Sequence, residues 1–386
     1  MTRLGKTIAA ASVSTRMNYT DEVRDVDVVV IGAGQAGLAA AFHLRRLGCE
    51  PDRDLVVLDH APRPGGAWQY RWPTLTYGKV HGMHALPGME LTGADPDRTS
   101  AEVIAEYFTA YEDTFGLRVH RPVHVTAVRP GPEPGGRLFV ESSEGTYATR
   151  ALVNATGTWD RPFWPRFPGQ ERFRGRLLHT AGYRGPQEFA GQRVVVVGGG
   201  TSAVQHLMEI AEVAADTVWV TRRPPAFRTG PFDENRGRAA VALVEDRVRQ
   251  GLPPRSVVSV TGLPMTEELR RARERGVLVR RPMFDRITEH GVRWGEGVRE
   301  DGVTSFDADA ILLATGFRPV IDHLAPLRLR TPGGGIRMAG TRVADDPRVH
   351  LVGYGPSAST IGANRAGRAA AREIRQLLTE GTRAAA

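Results

Sequence analysis

The stretch DVDVVVIGAGQAGLAAAFHLRRLG, residues 25–48, decides how the N-terminal half of the chain folds. An apolar run predicts a strand buried on both faces, and the alanine- and leucine-rich segment after the glycines predicts a helix. Gly32 suits a tight turn, Gly34 the close approach of a pyrophosphate, and Gly37 the close packing of helix on strand. In this context the three glycines indicate the strand–turn–helix of a dinucleotide-binding fold.

The next strand supports the same interpretation. The segment DLVVLDH predicts a second strand, which ends at Asp59. A carboxylate at that place accepts hydrogen bonds from free ribose hydroxyls, while the N-terminus of the preceding helix attracts a pyrophosphate. We therefore expect this first site to bind an adenine dinucleotide with an unmodified ribose.

A second copy of the pattern follows in QRVVVVGGGTSAVQHLMEIA, residues 192–211. Gly198 and Gly200 occupy the first two glycine places, and Ala203 is the third small residue. The strand after the helix ends in Arg222 and Arg223 instead of an acid, which is typical of sites for a ribose 2′-phosphate. The alternative is that these are ordinary surface arginines in an arginine-rich chain. The first interpretation predicts NADPH at the second site.

Two strand-like segments frame the second copy. ALVNATGTWDRP (residues 151–162) and AILLATGFRP (residues 310–319) both reach Ala-Thr-Gly and then Arg-Pro. We interpret them as the strands through which the chain leaves the first domain and returns to it. The predicted fold class is α/β, with two Rossmann-like dinucleotide-binding domains, the second inserted into the first. The expected divisions are a flexible tail at 1–24, an FAD-binding domain at 25–160 and 303–382, and an NADPH-binding domain at 161–302.

Composition narrows the class of protein. The chain has 386 residues, a formal net charge of +8 and one cysteine, Cys49. A single cysteine excludes a Cys-x-x-C redox pair within the chain and favours a cytoplasmic location. Lys6 and Lys79 are the only lysines among 51 basic residues, and the arginines are scattered, so nucleic-acid binding is not expected. No apolar run is long enough to span a membrane.

The segment FRGRLLHTAGYRG, residues 173–185, carries the pattern F-x-G-x-x-x-H-x-x-x-Y through Phe173, Gly175, His179 and Tyr183. Together with the two glycine turns, GGAW at 65–68 and the two Ala-Thr-Gly segments, it resembles the class B flavin-dependent monooxygenases. This group contains flavin-containing monooxygenases, plant YUCCA-type enzymes and Baeyer–Villiger monooxygenases. The tyrosine at the last place of the pattern favours the flavin-containing monooxygenase side.

The resemblance implies FAD, NADPH and O₂, with one oxygen atom passed to a small organic substrate through a C4a-peroxyflavin. It assigns His179 and Tyr183 to the catalytic region, His179 as a residue that couples coenzyme position to domain movement. The start of the last helix near Gly362 would face the flavin. The full set of expected cofactor-binding residues is Gly32, Gly34, Gln35, Gly37, Asp59, Gly66, Trp68, Gly157, Gly198, Gly200, Thr201, Ser202, Arg222, Arg223, Gly316 and Gly362.

The substrate stays open at this stage. Candidate walls of an oxygen-transfer pocket are Trp68, Trp72, Tyr77, His81 and His84, although core packing explains the two tryptophans equally well. His81 and His84 have no third ligand nearby in sequence, so no metal is expected. A monooxygenase acting at nitrogen, sulfur, a ketone or an activated carbon is the leading hypothesis. A flavoprotein reductase that passes electrons to a partner, a non-catalytic flavin-binding regulator and a homodimeric assembly are left open.

Overall fold

A computed structural model describes residues 23–80, 83–228, 234–254, 262–295 and 302–385. Within these ranges the helices are α1 (Gln35–Arg46), α2 (Ser100–Phe115), α3 (Thr201–Ala211), α4 (Glu234–Arg249), α5 (Glu267–Glu274) and α6 (Thr360–Ala385). The strands of the first half are β1 (Val23–Ile31), β2 (Leu55–Leu58), β3 (Val119–His120), β4 (Val125–Pro130), β5 (Leu138–Ser142), β6 (Gly145–Asn154), β7 (Arg176–His179), β8 (Arg193–Val197) and β9 (Asp216–Val220). Those that follow are β10 (Phe227–Arg228), β11 (Leu263–Pro264), β12 (Arg280–Arg281), β13 (Arg286–Thr288), β14 (Gly291–Arg293), β15 (Ser305–Asp307), β16 (Ala310–Leu313), β17 (Met338–Ala339), β18 (Arg342–Val343) and β19 (Val349–Leu351).

The first sheet is built around β1. Its strand order is β17–β18–β19–β6–β1–β2–β3, and β1 runs parallel to both β2 and β6. Val28 and Val30 face one apolar core, formed with helices α1, α2 and α6, while Val29 and Ile31 face another. Burial on both faces explains why this strand reads as a continuous apolar run.

The second sheet has the order β12–β9–β8–β16–β7, with every pairing parallel. Strand β16 is buried throughout, and β8 is buried from Val194 to Val197. A small antiparallel sheet, β13–β14–β15, packs beside it. The predicted fold class, two α/β dinucleotide-binding units with the second inserted into the first, is confirmed.

Sheet pairing moves one predicted boundary. The first unit was expected to resume at residue 303, with 310–319 as its returning strand. Instead, β15 belongs to the small sheet and β16 lies between β8 and β7 in the second sheet. The chain therefore crosses back only after Leu313, because an apolar run such as AILL fits either sheet and only its hydrogen-bond partners decide.

Each Ala-Thr-Gly segment closes the glycine turn of its own unit. A Cβ placed on Gly32 would lie 2.6 Å from the carbonyl oxygen of Ala155, and one on Gly198 would lie 2.3 Å from that of Ala314. Both glycines also have positive φ angles, 97° and 144°. A side chain is excluded at both positions, so the two units share one packing solution.

The two crossings between the units run side by side. The first follows β6 and the second follows β16, and they pair as antiparallel strands through Pro162 and Phe317. The amide of Phe163 donates to Gly316 O at 2.9 Å, and that of Val320 donates to Gly157 O at 3.0 Å. We call residues 156–163 and 315–320 the paired connectors.

The structure defines the starts of helices α2 and α6. Helix α2 begins after Thr99, whose hydroxyl accepts from the amide of Glu102 as expected of a capping residue. The last helix begins at Thr360, two residues before the predicted start. The tail predicted at 1–24 lies outside the described residues up to position 22. None of the helices in the described ranges has the length and apolar character needed to cross a membrane.

Packing around the first turn predicts that alanine substitutions at two glycines of the same motif differ in their cost to stability. A Cβ on Gly37 would lie 1.8 Å from Gly32 O, whereas the nearest atom to a Cβ on Gly34 is the Gly66 Cα at 3.8 Å. We expect Gly37→Ala to lower the free energy of unfolding by about 1–3 kcal/mol or more, since the close helix–strand contact must open. Gly34→Ala, with its ordinary φ of −82°, should cost almost nothing. Urea unfolding of the protein without added nucleotide measures both, and equal losses would contradict the packing role.

Candidate functional site

A cleft opens at the carboxyl end of β1, between the first glycine turn, the segment 66–70 and the start of α6. Its empty space is about 1070 Å³ when the opening to solvent is included. Seven of the expected cofactor-binding residues line it together: Gly32, Gly34, Gln35, Asp59, Gly66, Trp68 and Gly157. Gly37 lies beneath the turn as a packing residue, and the start of α6 contributes Thr360 and Ala363 instead of Gly362.

The N-terminus of α1 faces this cleft without a capping side chain. Gly34 is the N-cap residue, and no acidic residue lies in the first turn. Helices α2 and α5, by contrast, are capped by the hydroxyls of Thr99 and Thr266. The uncapped amides of α1 leave hydrogen-bond donors and partial positive charge for a bound anion.

Gln35 ties the start of α1 to the last helix. Its Nε2 donates to Asn364 Oδ1 at 2.8 Å and to His84 O at 3.1 Å. Asn364 Nδ2 in turn donates to Ala85 O at 2.7 Å. These bonds hold the N-terminal ends of α1 and α6 at the same cleft.

Asp59 lies at the end of β2 as predicted, but it has a partner that sequence reasoning missed. Arg121 approaches Asp59 Oδ2 at 3.3 Å and binds Glu112 through both terminal nitrogens at 2.6 and 2.9 Å. Burial raises the pKa of Glu112. Arg121 thus fixes the orientation of the Asp59 carboxylate, and nothing local in the sequence connects these three residues.

The second glycine turn repeats the first. Gly200 is the N-cap of α3, again without a side-chain cap, and no atom lies within 4 Å of a Cβ placed on it. Ala203 packs against Gly198 in the third small position. Trp219 Nε1 donates to Gly198 O at 2.7 Å and holds the turn from below. Thr201 and Ser202 form the first turn of α3, so the expected residues of this site come together.

Arg222 and Arg223 are exposed directly after β9. A third arginine, Arg280 of the neighbouring strand β12, lies beside them: its Nε donates to Thr221 Oγ1 at 2.7 Å and its Nη2 to Thr221 O at 3.2 Å. The sequence contained the pair Arg280–Arg281 but no indication that their strand joins this edge. The end of β9 is therefore basic, whereas the corresponding strand of the first unit, β2, ends at the acid Asp59.

His179 lies at the paired connectors and is almost fully buried. Its Nδ1 accepts from the amide of Ala181 at 3.1 Å, so its Nε2 carries the hydrogen, which it donates to Gly316 O at 3.1 Å. Its ring contacts Trp164 and Phe317, with centroids 5.5 and 5.1 Å apart. Burial lowers the pKa of His179. Both nitrogens are engaged in the neutral form, so the side chain is a positioning residue and not a general base.

Tyr183, expected in the catalytic region, has a different position. It is 1% exposed, and its hydroxyl donates to Glu209 Oε2 at 2.8 Å. Burial, and then the Glu209 carboxylate, raise its pKa. Its ring packs on His206, centroid to centroid 4.0 Å. Tyr183 thus packs β7 and the loop after it onto α3, and its assignment to the catalytic region stays a prediction.

The predicted walls of the oxygen-transfer pocket lie partly at the cleft and partly in the core. Trp68 lines the cleft, whereas Trp72 is buried in the core beside Tyr183. Tyr77 does not line the cleft, and His84 meets it through two backbone bonds, its carbonyl accepting from Gln35 and its amide donating to Thr360. His81 lies outside the described residues. The described residues also contain no group of three or more His, Cys, Asp or Glu side chains suited to a metal ion.

Comparisons with known proteins agree with this geometry. A family model described as pyridine nucleotide-disulphide oxidoreductase matches residues 29–235. A solved flavin-containing monooxygenase from Stenotrophomonas maltophilia is 36% identical with a TM-score of 0.75, over 91% of this chain and 98% of that chain. A CzcO-like uncharacterized oxidoreductase from Geobacillus kaustophilus is 30% identical over 48% of this chain and 52% of its own length. A Baeyer–Villiger monooxygenase from Streptomyces coelicolor is 30% identical over 59% of this chain and 43% of its own length. The chain thus spans about half the length of these curated relatives.

The buried histidine of α3 predicts a pH dependence of stability. His206 is fully buried and bonds the hydroxyl of Thr180, and burial lowers its pKa to about 3. Below about pH 6.5 His206 binds a proton in the unfolded chain but stays neutral in the folded protein. The free energy of unfolding is therefore greatest above that pH and falls toward pH 4. His206→Gln should flatten this fall by up to about 1.4 kcal/mol per pH unit.

The measurement is the free energy of urea unfolding at pH 7, 6 and 5. His290→Gln, at an exposed position of the same unit, is the matched control and should keep the wild-type slope. An unchanged slope in the His206 variant would show that another group controls the pH dependence.

Proposed function

Because the chain belongs to the pyridine nucleotide-disulphide oxidoreductase family and, through a likeness that covers 98% of a flavin-containing monooxygenase, to the flavin-dependent monooxygenases, we propose that it uses NADPH and O₂ to oxygenate a small organic molecule. FAD belongs in the cleft of the first unit and NADPH at the turn of the second. The finer proposal is that oxygen transfer proceeds through a C4a-peroxyflavin, with a nitrogen, sulfur, carbonyl or activated carbon centre as acceptor. The protein is further proposed to act in the cytoplasm.

One observation carries the proposal: α1 and α3 both begin at a glycine without a side-chain cap, each beside its own Ala-Thr-Gly strand end. Two dinucleotide sites in one chain serve hydride transfer from a nicotinamide to a flavin, since each cofactor alone needs only one site. A reduced flavin then supplies the chemistry that activates O₂. The family likeness favours this course over electron transfer to a partner protein.

The residues of this chain bind and orient the two cofactors. The amides of α1 and of α3 would hold the two pyrophosphates. Asp59, fixed by Arg121, would accept from the ribose of FAD, and the basic end of β9 would hold the 2′-phosphate of NADPH. His179 would keep the paired connectors, and with them the two sites, in one arrangement through its bond to Gly316.

The first test follows reduction and reoxidation of the flavin. FAD-loaded protein mixed with NADPH without oxygen should lose its yellow colour, and O₂ should then regenerate oxidised flavin through a transient absorbing species. His179→Ala should still bind FAD but lose the transient species and release hydrogen peroxide faster after O₂ is added, because the sites are held less firmly. His290→Ala is the control. Failure of NADPH to bleach the flavin would refute the proposal, and unchanged peroxide release would remove His179 from it.

The second test concerns coenzyme choice. A hydrogen bond to a charged group contributes about 1.5–3 kcal/mol, so losing it should weaken NADPH binding about 10- to 150-fold. We expect that loss in Arg222→Ala/Arg223→Ala, with NADH barely affected because it has no 2′-phosphate. Added salt should reduce the wild-type preference, since both arginines are exposed.

The matched control is Arg270→Ala/Arg271→Ala, two exposed arginines on α5 of the same unit. Rates of flavin reduction at varied NADPH and NADH give both preferences. Equal losses with the two coenzymes would mean that Arg222 and Arg223 support the fold and do not read the phosphate.

A further inference from the structure

Arg71 is a cation held between aromatic rings beside the cleft. It follows the short helical turn Gly66–Tyr70, and its guanidinium carbon lies over the ring of Trp68 at 5.3 Å and over that of Trp159 at 5.1 Å. Trp68 and Trp159 both line the cleft. The guanidinium therefore lies where the segment 66–71 meets the first of the paired connectors, residues 156–163.

This charge has no partner within the described part of the chain. No hydrogen bond or ion pair to a described residue involves the Arg71 side chain, and its Nε is shielded from solvent without an acceptor. Burial lowers the pKa of Arg71 to about 10, and no neighbouring carboxylate opposes that shift. Ring contacts stabilise a guanidinium, yet they leave its N–H donors without an oxygen acceptor.

Two other shielded arginines of this protein have carboxylate partners. The side chain of Arg121 is 11% exposed and binds Glu112 and Asp59, and that of Arg348 is 16% exposed and binds Asp346. Burying a charge without such a partner is costly, so an unpaired one marks a place where a ligand supplies the missing anion.

The anion is not one of the two pyrophosphates. Those belong at the uncapped helix starts, at Gly34 and at Gly200, and the 2′-phosphate belongs at the end of β9. Arg71 lies at none of these places. The next residue along the chain, Trp72, instead packs on His206 of α3, with ring centroids 4.4 Å apart. Arg71 therefore lies where the first unit meets the second.

We propose that Arg71 is the substrate-recognition residue of this protein and binds the carboxylate of a small organic acid at the edge of the cleft that Trp68 and Trp159 line. A carboxylate matches the fork of guanidinium N–H donors, which the contacts with the two indole rings leave without an oxygen acceptor. The inference rests on the proposed function, because it names the substrate class of the same site.

The experiment compares acids with their uncharged amides. Binding of benzoate and benzamide, and of phenylacetate and phenylacetamide, is measured by calorimetry on the oxidised FAD-loaded protein without NADPH. The acids should bind more tightly than their amides. Arg71→Gln should weaken binding of the acids at least about tenfold and leave the amides within about threefold, because only the acids lose a charged hydrogen bond.

Arg318→Gln is the matched control, because Arg318 also lies over an aromatic ring, that of Phe163 at 4.2 Å, but is exposed. It should change neither class of ligand. Arg71→Lys keeps the charge without the fork and should recover part of the affinity for acids.

Three results would overturn the inference: no preference of the wild type for acids, equal losses of acids and amides in Arg71→Gln, or a loss of NADP⁺ binding that exceeds the loss of NAD⁺ binding. The last would assign the anion to the coenzyme phosphate. Because this assay needs neither hydride transfer nor O₂, it can succeed even if the proposed monooxygenation fails, and the reverse also holds.

Discussion

The contact between a glycine turn and the strand end beside it is the constraint on which the remaining structure depends. At Gly32 and at Gly198 the backbone of a neighbouring Ala-Thr-Gly segment approaches so closely that no side chain fits. This contact fixes where each following helix begins relative to its sheet. The amides of the first turn of each helix then have no capping side chain. The side chains around the two sites, such as Asp59 and Arg280, are positioned relative to those two turns.

The junction between the units is organised around the second turn. Gly316, which follows the strand end packed on Gly198, accepts the hydrogen bond from His179 and also the amide of Phe163 in the other connector. One carbonyl therefore links the motif strand β7 with both crossings of the chain. A histidine that changed protonation at Nδ1 would have to release the amide of Ala181, so its lowered pKa preserves the arrangement.

Local sequence was sufficient for some features of this protein and insufficient for others. The packing roles of Gly32 and Gly37 followed from spacing, because the steric requirement is local and belongs to the motif itself. The sheet that Ala310–Leu313 joins did not, since four apolar residues contain no information on their hydrogen-bond partners. Tyr183 matched a functional pattern yet is buried against Glu209, and the unpaired state of Arg71 became visible only when its surroundings were known.

The antiparallel pairing of the connectors has a consequence for the modular character of the chain. The second unit enters and leaves through two strands that are hydrogen-bonded neighbours, so its two ends lie next to each other in space. A unit with adjacent ends can be exchanged for another of the same type without stretching the host fold. Bonded strands also resist sliding past one another, while a two-stranded ribbon still bends. A second link limits even this bend, because Trp72 and Leu75 of the first unit pack in the core of the second.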